Sequence, residues 1–293
     1  MKKIGLLAAA FLLSACGIGQ HTQTIHAVPQ DNIVDLHSGQ KLTPQQLLAK
    51  LRDRPRVIVG EKHDNLQHHQ IEQWLVESLP RQRTQGSVLM EMITLWYLCK
   101  ITLGMITPSQ QDKVNAVKDQ LKQGKTLTGQ QITEQTAWQK GWTWELYSGV
   151  TTAALAGSYP LLSANLDRSE IKKFYEHPLA VTGALSTQPS VREAIAKTIE
   201  ESHGGKLEPK QAKAMLAIQQ QRDRRMAESL LAAPTPALLI VGGYHANRAL
   251  GVPLHVEDIA PMTELTVVML AEEGVKVDKS NADFVWYTRK AKP

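Results

Sequence analysis

At 293 residues, 42% of them hydrophobic and 21% charged, the chain has enough apolar material for a large buried core and falls outside the disordered class. Its two cysteines, Cys16 and Cys99, exclude a disulfide scaffold and any four-cysteine zinc site. The 33 basic residues against 28 acidic leave a net charge of +5, spread along the chain with no run of five Lys or Arg and few interleaved aromatics, so no nucleic-acid partner is expected.

The N-terminus reads Met1-Lys2-Lys3, ten largely apolar residues from Ile4 to Leu13, then Ser14-Ala15-Cys16. This is the pattern of a signal peptide, and the apolar run is too short to span a bilayer. Leu13-Ser14-Ala15-Cys16 resembles a bacterial lipobox, in which Cys16 is lipidated and becomes the mature N-terminus. Several acyl chains anchor stably where one does not. Gly17, rather than Asp, after the cysteine points to the outer membrane, so the expected location is lipid-anchored there and facing the periplasm. Removing residues 1–15 leaves 278 residues and a net charge of +3. Residues 16–29 are polar and read as a tether.

Short apolar runs then mark strands: Val57–Val59, Ser87–Met90, Leu161–Ala164, Ala237–Val241 and Thr266–Leu270. They are nearly continuous rather than alternating, as in strands buried on both faces. Leu66 to Leu79 has a helical period, with Asp64 and Asn65 as candidate N-caps. The recurring strand–helix–strand order predicts an α/β fold: a mostly parallel β-sheet flanked by helices. Residues 108–140 carry no strand signal. Residues 168–232 hold long helix-forming runs, notably Lys210 to Leu231, and read as a smaller helical subdomain inserted into a sheet domain of residues 30–167 and 233–293.

Ligands of open parallel sheets gather at the carboxyl ends of the strands. There the sequence places two Gly-x-x-His turns, Gly60 to His63 and Gly242 to His245, together with Glu61 and Glu91. Any one of these histidines is as well explained by a structural hydrogen bond. Two such turns with two carboxylates point to general acid/base work or a divalent metal. His68 and His69 read as exposed helix residues pairing with Glu72, and Cys99 as a small buried hydrophobe. The serine-hydrolase elbow and the phosphate-binding glycine loops are absent.

Trp138, Trp142, Trp144 and Tyr147 concentrate four aromatics within ten residues. They serve equally as an aromatic core plug or as a ligand surface. A tyrosine phenolate is one of the few protein ligands that hold ferric haem.

Several segments together carry a family resemblance: Val57-Ile58-Val59-Gly60-Glu61-Lys62-His63-Asp64-Asn65 with His68-His69, Met90-Glu91-Met92, Gly141-Trp142-Thr143-Trp144-Glu145-Leu146-Tyr147, Ser202-His203-Gly204-Gly205-Lys206-Leu207, and Gly243-Tyr244-His245-Ala246-Asn247-Arg248. Over about residues 31–255 the chain resembles the ChaN-like family of haem-binding lipoproteins. The resemblance implies a role in haem-iron uptake, with haem as cofactor at a haem-dependent homodimer interface and an outer-membrane haem receptor as partner. It implies a tyrosine on each iron, for which Tyr147 is the first choice and Tyr244 the second, and a histidine and a lysine, His203 and Lys206, meeting the propionates from the other subunit. The family is similar to a wider group of Tiki-type proteases and erythromycin esterases. In that alternative the chain is a hydrolase, with Glu61, His63, Glu91 and His245 as its catalytic set and a divalent metal as cofactor.

Overall fold

The computed structural model describes residues 32–91, 107–139 and 141–291. Cys16, Cys99, the leader and the tether lie outside the described residues. An eight-stranded sheet runs through the molecule: β1 (Ile33–Asp35), β2 (Lys41–Leu42), β3 (Arg56–Glu61), β4 (Ser87–Met90), β5 (Leu161–Ser163), β6 (Ala237–Gly242), β7 (Thr266–Glu272) and β8 (Phe284–Thr288). Its order is β2-β1-β8-β7-β3-β6-β4-β5. From β8 to β5 the pairings are parallel, while β1 joins β8 and β2 antiparallel. The expected mostly parallel α/β sheet is therefore observed. The five expected strands are β3 to β7. Strand β8 lies outside the five expected runs, although its aromatic and β-branched residues Phe284-Val285-Trp286-Tyr287-Thr288 carry strand propensity.

Ten α-helices occupy the described residues: α1 (Pro44–Leu51), α2 (Leu66–Gln82), α3 (Gln111–Lys122), α4 (Gly129–Gln135), α5 (Trp144–Ala156), α6 (Arg168–Glu176), α7 (Pro189–Ser202), α8 (Pro209–Ala232), α9 (Gly243–Ala246) and α10 (Val252–Ile259). Among the described residues none is long and apolar enough to cross a membrane. Strand residues alternate between two cores. Val57, Val59, Leu238 and Ile240 face the side covered by α1, α2, α3 and α5, whereas Ile58, Leu239 and Val241 face α8 and α10. Burial on both faces explains the continuous apolar runs.

Helix α8 serves two environments. Met226, Ala227 and Leu230 pack on the sheet, while Ile218 joins Leu166 and Ile171 in a small separate cluster with α6. The aromatic run is mostly core: Trp142 and Tyr147 are buried, with ring centroids 5.1 Å apart, and Trp138 packs edge-on against Trp144 at 4.9 Å.

Asn65 caps α2 by accepting from the Gln67 N–H. His68, expected at the surface, is instead fully buried. Its Nδ1 accepts from the Lys62 N–H at 2.8 Å and its Nε2 donates to Thr288 Oγ1 at 2.9 Å, tying the start of α2 to β8. That geometry requires the neutral imidazole, and burial lowers the His68 pKa to about 4. Between an unfolded value of about 6.5 and the folded value, the unfolded chain binds the extra proton, so this contribution is complete above about pH 6.5 and is lost as pH falls toward 4. His68→Asn keeps an acceptor for Lys62 but does not titrate. Urea unfolding at pH 6.5 and pH 4 is expected to show a smaller drop in stability for this variant than for the wild type; equal drops would remove His68 as the cause.

Candidate functional site

The carboxyl ends of β3, β6 and β4 converge. Glu61 and Gly242 are direct partners in the β3–β6 register, and Glu91 follows β4 beside them, its N–H donating to the Ile240 carbonyl. Close approach at this rim depends on glycine. A Cβ on Gly60 would collide with Ala246, and one on Gly242 would lie 3.0 and 3.1 Å from the His63 imidazole and 3.8 Å from that of His245. The two histidines of the Gly-x-x-His turns thus flank one backbone position.

Each histidine has carboxylate support. His63 Nδ1 donates to Glu61 Oε1, and its side chain remains partly open to solvent. Burial opposes a charged His63, but Glu61 and the neighbouring carboxylates outweigh it and raise the pKa to about 9. Burial likewise pushes the Glu61 carboxyl up, and the facing His63 brings it below its ordinary value. His245 Nδ1 meets Asp223 at 2.6 Å, with Gln219 also in reach, and its Nε2 lies 3.5 Å from Glu91. Its pKa is raised, with burial opposed by Glu91 and Asp223. Glu91 is held in turn by the Gly242 N–H and by Asn165 Nδ2, both at 3.1 Å. Glu61, His63, Glu91 and His245 therefore occupy one place, arranged as a His63–Glu61 pair and a His245–Asp223–Glu91 group.

Behind His63 lies a layer expected from sequence to be at the surface. His69 and Glu72 are buried, not exposed, because the first turns of α2 lie beneath α5 rather than against solvent. His69 Nε2 donates to the His63 carbonyl at 3.1 Å, and its Nδ1 lies 3.1 Å from Glu72 Oε2. Burial raises the Glu72 carboxyl to about 7. Ligand atoms of Glu61, His69 and Glu72 lie within 4.8 Å of one another. Arg222 and Asp223, on the buried face of α8, were not among the expected site residues. Their signal is an adjacent Arg-Asp pair within an otherwise helix-packing stretch.

The tyrosines divide sharply. Tyr147 is 1% exposed, its phenol donates to the His63 carbonyl at 3.1 Å, and its ring packs 4.1 Å from that of His69. Burial, followed by the carboxylates around it, pushes this phenol well above its usual range and keeps it protonated. Tyr147, the first choice for iron ligand from its place in the aromatic motif, is thus turned into the protein core, where it packs and hydrogen-bonds. Tyr244, in the first turn after β6, is 67% exposed. His203 caps the end of α7, with Nδ1 donating to the Ile199 carbonyl at 2.7 Å, and is half-buried. Lys206 is exposed two glycines later, and Gly204 and Gly205 adopt φ of +64° and +69°.

Comparison with known proteins gives one family. The profile described as haem-binding uptake, Tiki superfamily, ChaN matches residues 47–256. The chain is similar to the structure of cofacial haem binding to ChaN of Campylobacter jejuni, at 26% identity over 86% of this chain and 94% of that one, with a TM-score of 0.74. An erythromycin esterase mutant, EreC, in its open conformation matches at 12% identity over 87% and 82% of the two chains, with a TM-score of 0.45. A type III effector matches at 11% identity over 84% and 92%, with a TM-score of 0.42. No curated protein matches.

Asp223 accepts from buried His245 and lies beside the buried Arg222 guanidinium. Asp223→Ala leaves both without it and is expected to cost about 3–5 kcal/mol in chemical denaturation. Asp223→Asn, which can still hydrogen-bond His245, should cost less. Equal stability of the alanine variant and the wild type would show that the group is not paired as described.

Proposed function

This chain is a member of the haem-binding uptake family of the Tiki superfamily, ChaN, and from that premise we propose that it carries haem for iron uptake, bound through tyrosine at a dimer interface. In this reading lipid on Cys16 anchors the chain to the outer membrane, facing the periplasm, and an outer-membrane haem receptor is its partner. Tethering both at one membrane raises the effective concentration of carrier at receptor.

The observation that carries the ligand assignment is the exposure of Tyr244. Ferric haem takes a phenolate oxygen, so the ligand must reach solvent and be able to lose its proton. Tyr244 has its phenol outside and no hydrogen bond to a described residue, whereas Tyr147 fails both requirements. A porphyrin also needs apolar surface. Leu66, Tyr244 and Val275, at 49%, 67% and 51% exposure, follow the carboxyl ends of β3, β6 and β7, which are neighbours in the sheet. These three exposed apolar side chains at neighbouring strand ends are where a porphyrin face would rest in this reading.

His203 and Lys206 would serve the propionates, as donors to carboxylate. Gln219 of α8 touches His245 beside Tyr244, and Pro209 begins α8 ten residues earlier, about 15 Å away at the helical rise. The His203–Lys206 turn precedes Pro209. This separation from Tyr244 within one protomer supports a role for the pair on haem held by the partner subunit. Bound haem supplies the iron and its porphyrin as cargo; Tyr244 holds it, and His203 and Lys206 orient it.

A second reading has its own observation. His63 has a carboxylate on Nδ1 and an imidazole partly open to solvent, facing His245 across Gly242, which is acid/base geometry. With its raised pKa, His63 would act as the proton donor of a hydrolase at neutral pH. Glu91 and His245 would then hold the attacking water.

Titration of the purified protein with ferric haem is expected to give a high-spin tyrosinate spectrum and a shift from monomer to dimer in sedimentation. Tyr244→Phe should lose that spectrum and Tyr147→Phe should keep it; the reverse result would return the ligand to Tyr147, and a monomer at saturating haem would count against the shared interface. For the hydrolase, turnover of nitrophenyl esters or peptides that disappears in His63→Ala is required, and no turnover in the wild type rejects that reading for those substrates.

A further inference from the structure

The buried layer behind His63 contains more lone pairs than donors. His69 Nε2 spends its proton on the His63 carbonyl, which can only accept. In the neutral imidazole, Nδ1 therefore presents a lone pair, and what it meets at 3.1 Å is a carboxylate oxygen, Glu72 Oε2. The other oxygen, Glu72 Oε1, is sealed from solvent and has no hydrogen-bond partner. The same is true of Glu61 Oε2, whose sister oxygen is taken by His63. Three residues from two elements thus aim unshared electron pairs at one another, with ligand atoms mutually within 4.8 Å.

A proton between His69 and Glu72 would relieve only one of these contacts. It would leave Glu72 Oε1 and Glu61 Oε2 buried without partners, a cost native interiors rarely carry. A cation relieves all of them together. We infer that Glu61, His69 and Glu72 form a site for one divalent first-row transition metal ion. One imidazole nitrogen with two carboxylate oxygens suits zinc, manganese or ferrous iron, not a soft monovalent ion or calcium with its all-oxygen shell.

His69 and Glu72 are three apart on α2 and so share a face, and Glu61 ends β3. The ion accordingly pins the first turns of α2 to the carboxyl end of β3. Its second-sphere support is already built: the His63 carbonyl orients His69, and the Tyr147 phenol holds that same carbonyl. The partly open His63 side chain, hydrogen-bonded to Glu61, marks the way in from solvent. This ligand set differs from the Glu61, His63, Glu91 and His245 group suggested by sequence, and it requires no haem.

The test uses haem-free protein stripped with a chelator, then titrated with zinc chloride, manganese chloride or, anaerobically, ferrous sulfate. Bound metal per chain after desalting and the shift in Tm are both read. One equivalent of at least one metal is expected to remain and to raise Tm by several degrees. Glu72→Gln, whose amide can still donate to His69 Nδ1, is expected to keep the fold by circular dichroism and the metal-free Tm, but to retain no metal; Glu61→Gln is the second variant should the first not fold. Absence of retained metal and of any Tm shift in the wild type overturns the site, as does one full equivalent retained by Glu72→Gln. Haem titration of the same variant is read separately: unchanged haem binding with lost metal separates this site from the haem surface.

Discussion

Two donors from two helices meet on the carbonyl oxygen of His63: the Tyr147 phenol from α5 and His69 Nε2 from α2, each at 3.1 Å. That oxygen lies in the loop just after β3, so one acceptor joins the central strand's carboxyl end to both helices covering it. With its carbonyl held from behind, His63 turns its imidazole to Glu61 and to the gap above Gly242. The remaining geometry follows from this. Gly242 must lack a side chain, Glu91 can reach its N–H, and His245 can approach from the far side.

The cluster gathers ionisable groups where charge is expensive. Glu61, Glu72, Glu91 and Asp223 are all buried, as are Arg222, His69 and His245. Ion pairs in such surroundings recover their desolvation cost only with good geometry and added hydrogen bonds, and well-packed apolar residues commonly do as well or better for stability. Arg222 keeps two guanidinium nitrogens without a hydrogen-bond partner even so. Stability alone gives no reason to assemble these groups under one strand edge. Converging shifted carboxylates and imidazoles are the signature of a centre kept for chemistry or for an ion.

This centre and the proposed haem surface share a rim but use different residues and opposite physics. The centre is polar, enclosed and braced by Tyr147. The outer side of the same strand ends carries exposed Leu66, Tyr244 and Val275. Adjacent positions in the chain serve the two: Tyr244 points out, and His245 points in to Asp223. A short helix directly after a strand makes that division, because consecutive side chains there emerge in different directions.

The apolar runs of β3 to β7 and the helical period of α2 and α8 determined the α/β layering, since burial on both faces of a parallel sheet leaves a direct compositional trace. The two Gly-x-x-His turns likewise marked the rim where these imidazoles and carboxylates gather, because a glycine at a strand end reports close backbone approach. Other features left no such trace. His69 and Glu72 belong to a stretch of α2, Leu66-Gln67-His68-His69-Gln70-Ile71-Glu72, whose polarity reads as solvent-facing; among the described residues α5 packs against this helix, with Tyr147 on His69. Asp223 resembles any charge on a long helix until α8 sets it against His245. Tyr147 and Tyr244 are chemically identical in a sequence, and their environments separate them, one phenol locked inside on a backbone carbonyl and the other free in water. The sequence by itself determined the layered α/β class and five of its strands, with the chemistry at their carboxyl ends. Tertiary packing alone decided which polar groups are desolvated together, because that depends on what covers a helix face and not on the residues in it.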